Sequence, residues 1–170
     1  MRHLLRTVLP ILVIAALVHI AAIWATPRIV MHLVLRAAAA RQNPFHAPKP
    51  TAADRKIPLP SPDLLYSTCA LNLSAGPILA SVNPGPDYLS LAIFNAATDN
   101  VFVANDQTTP NHAIRLLITN TPAPNPPPDT TVVQLGTTKG LLLLRALAAT
   151  QDLQTRNEAA RKTLTCTQLK

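Results

Sequence analysis

Hydrophobic positions follow two different rules along the chain. From Val8 to Ala25 they run without a break as VLPILVIAALVHIAAIWA, with Pro10 and His19 as the only interruptions. About 20 apolar residues cross the hydrocarbon of a bilayer as a helix, so this stretch predicts a transmembrane span. Arg2 and Arg6 stand at its near end and Trp24 at its far end, where basic and amphipathic side chains meet the headgroups. Past residue 63 the apolar positions fall into short runs: Leu65 to Leu73, Ile78 to Val82, Tyr88 to Asn95, Val101 to Asn105, Ala113 to Thr119, Thr131 to Leu135 and Leu141 to Leu147. Turn residues such as Asn83-Pro84-Gly85-Pro86-Asp87 separate them, and this spacing predicts strands. In the first run Leu65, Ser67, Cys69, Leu71 and Leu73 share one face by the two-residue period, and that face is the expected core.

Four segments break these rules. Beyond Pro27 the chain reads RIVMHLVLRAAAARQ, with Arg28, His32 and Arg36 on one helical face. Either a second helix lies there on the membrane surface, or the span continues outward as one longer helix. Residues 43–62 carry prolines at 44, 48, 50, 58, 60 and 62; proline removes backbone donors and fixes extended φ values, which predicts a semi-rigid spacer that Phe45 and Ile57 could pin to the domain. Thr121 to Thr130 holds five prolines and reads as an exposed connection, with a rigid hairpin link as its simplest form. After the last apolar run, Thr150 is a candidate N-cap with Asp152 in the first turn of a short helix, TQDLQTRNEAARK, ahead of a final strand-like piece from Thr163 to Leu169.

The fold class that follows is mainly β: a single N-terminal transmembrane helix, then an antiparallel, jelly-roll-like β-sandwich with one short C-terminal helix. Residues 1–42 form the anchor and juxtamembrane helix, 43–62 the proline-rich linker and 63–170 the sandwich. With 170 residues there is room for one core beside the span. The chain is 48% hydrophobic but only 4% aromatic, so that core is aliphatic.

The net charge of +7 suggests nucleic acid until it is divided by position. Five arginines and no acidic residue lie in residues 1–42, leaving +2 for the rest. Basic residues flanking a span attract anionic lipid headgroups, and no basic stripe interleaved with aromatics follows. The lipid bilayer is the expected partner and nucleic acid is not.

A cleaved signal peptide also opens with basic residues and an apolar run. Here the run is long for one, and Ile23-Trp24-Ala25 puts a bulky residue where cleavage requires a small one. An uncleaved anchor is the reading kept. Arginines on the two sides nearly balance, so orientation rests on the cysteine pair and on long domains translocating regardless of flanking charge. The N-terminus is expected in the cytoplasm and the domain in the periplasm, with the span in a bacterial inner membrane.

Cys69 and Cys166 are the only cysteines. An even count in a domain outside the cytoplasm predicts a disulfide, the alternative being two buried thiols. Neither CxxC spacing nor a nearby histidine suggests zinc. Asp99, Asn100, Asn105, Asp106 and His112 form a dense polar cluster that could serve acid-base or metal chemistry, but Asp-Asn pairs are also ordinary turn formers at strand ends. No phosphate loop, G-x-S-x-G elbow or H-E-x-x-H is present, and no catalytic residue, metal or cofactor is expected.

The block DLLYSTCALNLSAG at 63–76 with Pro77, the run YLSLAIFNAATDNVFV and the segment KGLLLLRALAATQDLQTRNEAARK resemble the bacterial domain of unknown function 1254 over roughly residues 58–166. The match resembles a short, membrane-anchored, alphaproteobacterial branch. In longer relatives a domain of unknown function 1214 follows in the same polypeptide, which implies a separate partner protein carrying that half. Ser61, Ala70 and Asn72 depart from the family pattern of Asn, an aromatic and Asp.

Asp63, Tyr66 and Arg145 all fall in the matching blocks. An arginine inside an apolar strand needs a carboxylate or carbonyl partner when buried, so the three are expected to form a structural pair or a polar ligand-binding pocket. The expected function is a non-enzymatic, membrane-tethered envelope module that docks with a partner. The alternative is an envelope enzyme or small-ligand binder with its pocket between the sheets.

Overall fold

The N-terminal apolar helix meets the domain directly. In the computed structural model, which describes residues 2–51, 53–54, 60–108, 113–122 and 126–169, helix α1 (Arg2–Ala39) runs unbroken through Pro10 and Pro27. Of the two expectations beyond Pro27, the single longer helix is the one found. Its 38 residues span about 57 Å at ~1.5 Å per residue. From Arg6 to Ala39 it is long and apolar enough to cross a membrane, with a mean hydropathy of 2.5 in its best window and none of that window buried by protein. Proline within a helix withholds one N–H and crowds the preceding turn. Arg28, beside Pro27, supports that turn by donating from Nη1 to the Trp24 carbonyl at 2.6 Å and stacking 4.2 Å above the Trp24 ring. The final turns leave the apolar stretch and dock on the domain, where Met31 and Leu35 are buried against Leu141, with Phe94 and Ala96 beside them.

The remaining elements are β1 (Phe45–His46), β2 (Leu64–Asn72), β3 (Ile78–Val82), β4 (Leu89–Asn95), β5 (Asn100–Asn105), β6 (Ile114–Thr119), β7 (Thr131–Gln134), β8 (Lys139–Leu147), α2 (Gln151–Arg161) and β9 (Thr165–Gln168). They build two open sheets, one in the order β1-β2-β8-β4-β5 and the other β7-β6-β3-β9. The alternation in β2 is as the sequence predicts, with Leu65, Ser67, Cys69 and Leu71 buried and their neighbours more exposed. Leu89, Leu91, Ile93, Leu142 and Leu144 from the first sheet meet Ile78, Val82, Leu116 and Ile118 from the second in one aliphatic core.

Two local expectations are corrected. The connection from Asn120 to Thr130 is not a hairpin link, because β6 and β7 pair in parallel, Leu116 with Thr131 and Thr119 with Gln134. A parallel neighbour requires the chain to travel back to the start of the preceding strand, and the eleven residues between Thr119 and Thr131 make that return. The sandwich is therefore mixed and not wholly antiparallel. The first part of the segment expected as a proline-rich spacer also packs on the domain. β1 pairs with β2, the Asn43 amide bonds both the N–H and the C=O of Ala70, Lys49 donates to the Ala148 carbonyl at 2.7 Å, and Pro50 is buried. Ile57 lies outside the described residues.

Cys69, fully buried in β2, is bonded to Cys166 in β9, across 97 residues of sequence. Because β2 belongs to one sheet and β9 to the other, the bond staples the two layers together. α2 joins β8 to β9 and so also passes between sheets; its N-cap is Thr150, whose hydroxyl accepts from Leu153 N–H at 3.3 Å, with Asp152 in the first turn.

Candidate functional site

The sheet that carries β2, β8 and β4 has an inner face in the core and an outer face built from the alternate residues. On the outer face the strands line up in rows. Phe94, Leu141 and Ala70 form the row nearest the docked end of α1; Val103, Ala92, Leu143 and Thr68 form the next. The third row is polar: Asn105 pairs with Ser90, Ser90 with Arg145, and Arg145 with Tyr66, across β5, β4, β8 and β2.

Tyr66 and Arg145 are thus direct cross-strand neighbours, as the sequence suggested, but Asp63 is not their companion. It precedes β2, is exposed and makes no ion pair with Arg145; its carbonyl accepts from Ala148 N–H at 2.7 Å. The correction has a simple cause. Asp63 lies in the turn before β2, outside the strand pairing that sets Tyr66 beside Arg145.

Arg145 is half-buried, and its Nε is shut away from solvent with no acceptor. The Ser90 hydroxyl opposite it is likewise shielded and unpaired, in a residue only 3% exposed. The Tyr66 hydroxyl accepts from Ser61 N–H at 3.0 Å, which leaves its own O–H to donate. The interior between the sheets, where a ligand pocket was the alternative expectation, is occupied by fully buried Leu65, Leu71, Leu91, Ile93, Ile118 and Leu144. Tyr66 and Arg145 face away from it.

A second polar centre, missed in the sequence, sits where α2 meets the β1 edge. Arg161 is 4% exposed and donates to Glu158 Oε2 at 2.7 Å, to the Ala47 carbonyl at 2.8 Å and to the Tyr66 carbonyl at 2.9 Å. His46 Nδ1 lies 2.8 Å from the Ser67 hydroxyl. Burial, then the nearby Arg161 charge, holds the His46 imidazole below its ordinary pKa. Asn157, fully buried, donates to the Leu147 carbonyl at 2.7 Å. The i, i+3 spacing of Glu158 and Arg161 was the one sequence signal available, and in a helix this polar it reads equally as a solvated face. On the exposed side of α2, Arg156 grips Asp87 through two hydrogen bonds, at 2.8 and 3.1 Å, and the bond to Arg156 holds the Asp87 carboxyl below its usual range.

The Asp99 to Asp106 cluster proves to be turn architecture. Asn95 Oδ1 accepts from Ala97 and Asp99 N–H, Asn105 Oδ1 from Gln107 and Thr108 N–H, and Asp106 Oδ1 from Leu89 N–H. His112 lies outside the described residues.

An apolar helix long enough to cross a membrane, running into two open sheets that are bonded to each other by one disulfide and bear a cationic polar row on an outer face, defines a β-sandwich protein with an N-terminal apolar helix. The family model described as "Protein of unknown function (DUF1254)" matches residues 42–168, and the chain belongs to that family. No curated protein matches it. Among solved structures, the VPA0106 protein from Vibrio parahaemolyticus shares the fold at 13% identity with a TM-score of 0.64, over 84% of this chain and 35% of that one. An uncharacterized protein from Burkholderia cenocepacia is similar at 15% identity and a TM-score of 0.49, over 69% of this chain and 35% of its own. The chain therefore spans about a third of the length of either protein.

Proposed function

We propose that this chain is a non-enzymatic module of the bacterial cell envelope, anchored in the inner membrane by α1, with its sandwich in the periplasm, and working by docking with a separate protein. The observation that carries the reading is the way the anchor enters the domain. α1 is a single helix whose outer turns pack on the sandwich through Met31 and Leu35, so the domain is held at a fixed height and angle over the bilayer, as suits a receptor surface more than a freely swinging enzyme. The Cys69–Cys166 bond supports placement outside the reducing cytoplasm. In the VPA0106 protein the same fold makes up only 35% of the chain; by analogy, the sandwich works beside further protein, and the partner we propose resembles the domain of unknown function 1214.

Solubilising membranes in mild detergent after zero-length crosslinking, and purifying through a tag on this chain, should yield one stoichiometric envelope partner. Recovery of this chain alone, crosslinked to nothing but itself, would count decisively against docking.

A further inference from the structure

On the outer face of the five-stranded sheet, the row Ser90, Arg145 and Tyr66 presents donors without a matching acceptor. Arg145 stands in β8 between Leu143 and Leu147, on a face whose other two rows are almost wholly apolar. Its Nε is sealed from solvent and unpaired, and so is the Ser90 hydroxyl one strand away. Tyr66, one strand away on the other side, has its oxygen occupied by Ser61 N–H and its own proton free. The row thus gathers a planar cationic fork and two hydroxyls, while Asp63, exposed in the turn before β2, makes no ion pair with it.

We infer that the Ser90–Arg145–Tyr66 row is a binding site for a carboxylate group. A guanidinium presents paired N–H groups at the spacing of the two carboxylate oxygens, and flanking hydroxyls add hydrogen bonds to the remaining lone pairs. Carboxylate fits better than phosphate because the row holds a single cation. Among the described residues no second Lys or Arg stands in the row, so no further described cation there balances a dianion. The inference is independent of partner docking, since the carboxylate can belong to a free small acid or to an Asp or Glu side chain of another protein.

The test is a titration of the full-length chain in detergent micelles, following the arginine Nε–H resonances with nitrogen-15 label and identifying the Arg145 signal by its loss in Arg145→Lys. Sodium acetate and sodium succinate are added against sodium chloride at matched ionic strength. The Arg145 signal should move saturably with either carboxylate, and Ser90→Ala should weaken the response several-fold while the other arginine signals stay in place. Saturation below about 10 mM assigns a free small acid, and saturation only near or above about 100 mM assigns a protein side chain, a lone carboxylate contact being worth about 1–2 kcal/mol. No saturable movement of Arg145, or a response to inorganic phosphate stronger than to acetate, would overturn the inference.

Discussion

Reducing the Cys69–Cys166 bond is expected to remove about 4–5 kcal/mol of stability from the sandwich, the chain-entropy value for a loop of roughly 100 residues. The bond spans 97 residues and ties β2 of one sheet to β9 of the other. β9 is a short edge strand of four residues, mostly exposed apart from Cys166, and it holds its place through β3 pairing and this bond. A loss of that size is large beside the roughly 5–15 kcal/mol that usually holds a domain together. Denaturant unfolding of the detergent-solubilised chain, followed by the far-ultraviolet β signal, should show the transition moving to much lower denaturant on reduction. Cys166→Ser, at the partly exposed end, should reproduce the shift. A change of less than about 1 kcal/mol would mean that the open chain is already restrained by other contacts.

Arg161→Met should cost about 3 kcal/mol, the scale for removing one member of a buried ion pair. Methionine keeps the length of the side chain and deletes its donors. The carbonyls of Ala47 and Tyr66 then lose charged partners in a shielded place, Glu158 loses its closest cation, and the junction of β1, β2 and α2 loosens at once. Arg156→Met provides the contrast. It breaks a bidentate pair with Asp87 that lies at the surface, where such pairs contribute little. Equal effects from the two substitutions would refute the special place given to Arg161.

The difference between those arginines also shows what the sequence could and could not reveal. The strands were legible because their residues obey a local rule: Leu65, Cys69 and Leu71 alternate with more exposed neighbours, and the structure buries the first set. The start of α2 was legible from Thr150 and Asp152, again through contacts a few residues apart. Arg161 was not, because its acceptors at Ala47 and Tyr66 are 114 and 95 residues distant and nothing in QDLQTRNEAAR distinguishes a buried arginine from a solvated one. β1 has only two residues, too few for any period, and lies among prolines that favour a spacer reading. The parallel pairing of β7 was hidden because a loop's composition says that the chain turns, not which way it returns. Arg145 stood out as a charge in an apolar run, and Tyr66 is its neighbour. Ser90 was silent, since a serine between Leu89 and Leu91 announces neither its burial nor the strand it will face.

In the function we propose, one helix anchors the chain and holds the disulfide-bonded sandwich outside the cytoplasm. The most direct measurement joins alkaline phosphatase, which is active only after export, to the C-terminus after Lys170, and in a parallel strain joins a reporter that works only in the cytoplasm. The account predicts an active phosphatase, a silent cytoplasmic reporter and a fusion that stays in the membrane fraction through alkaline washing. An inactive phosphatase with an active cytoplasmic reporter would contradict it.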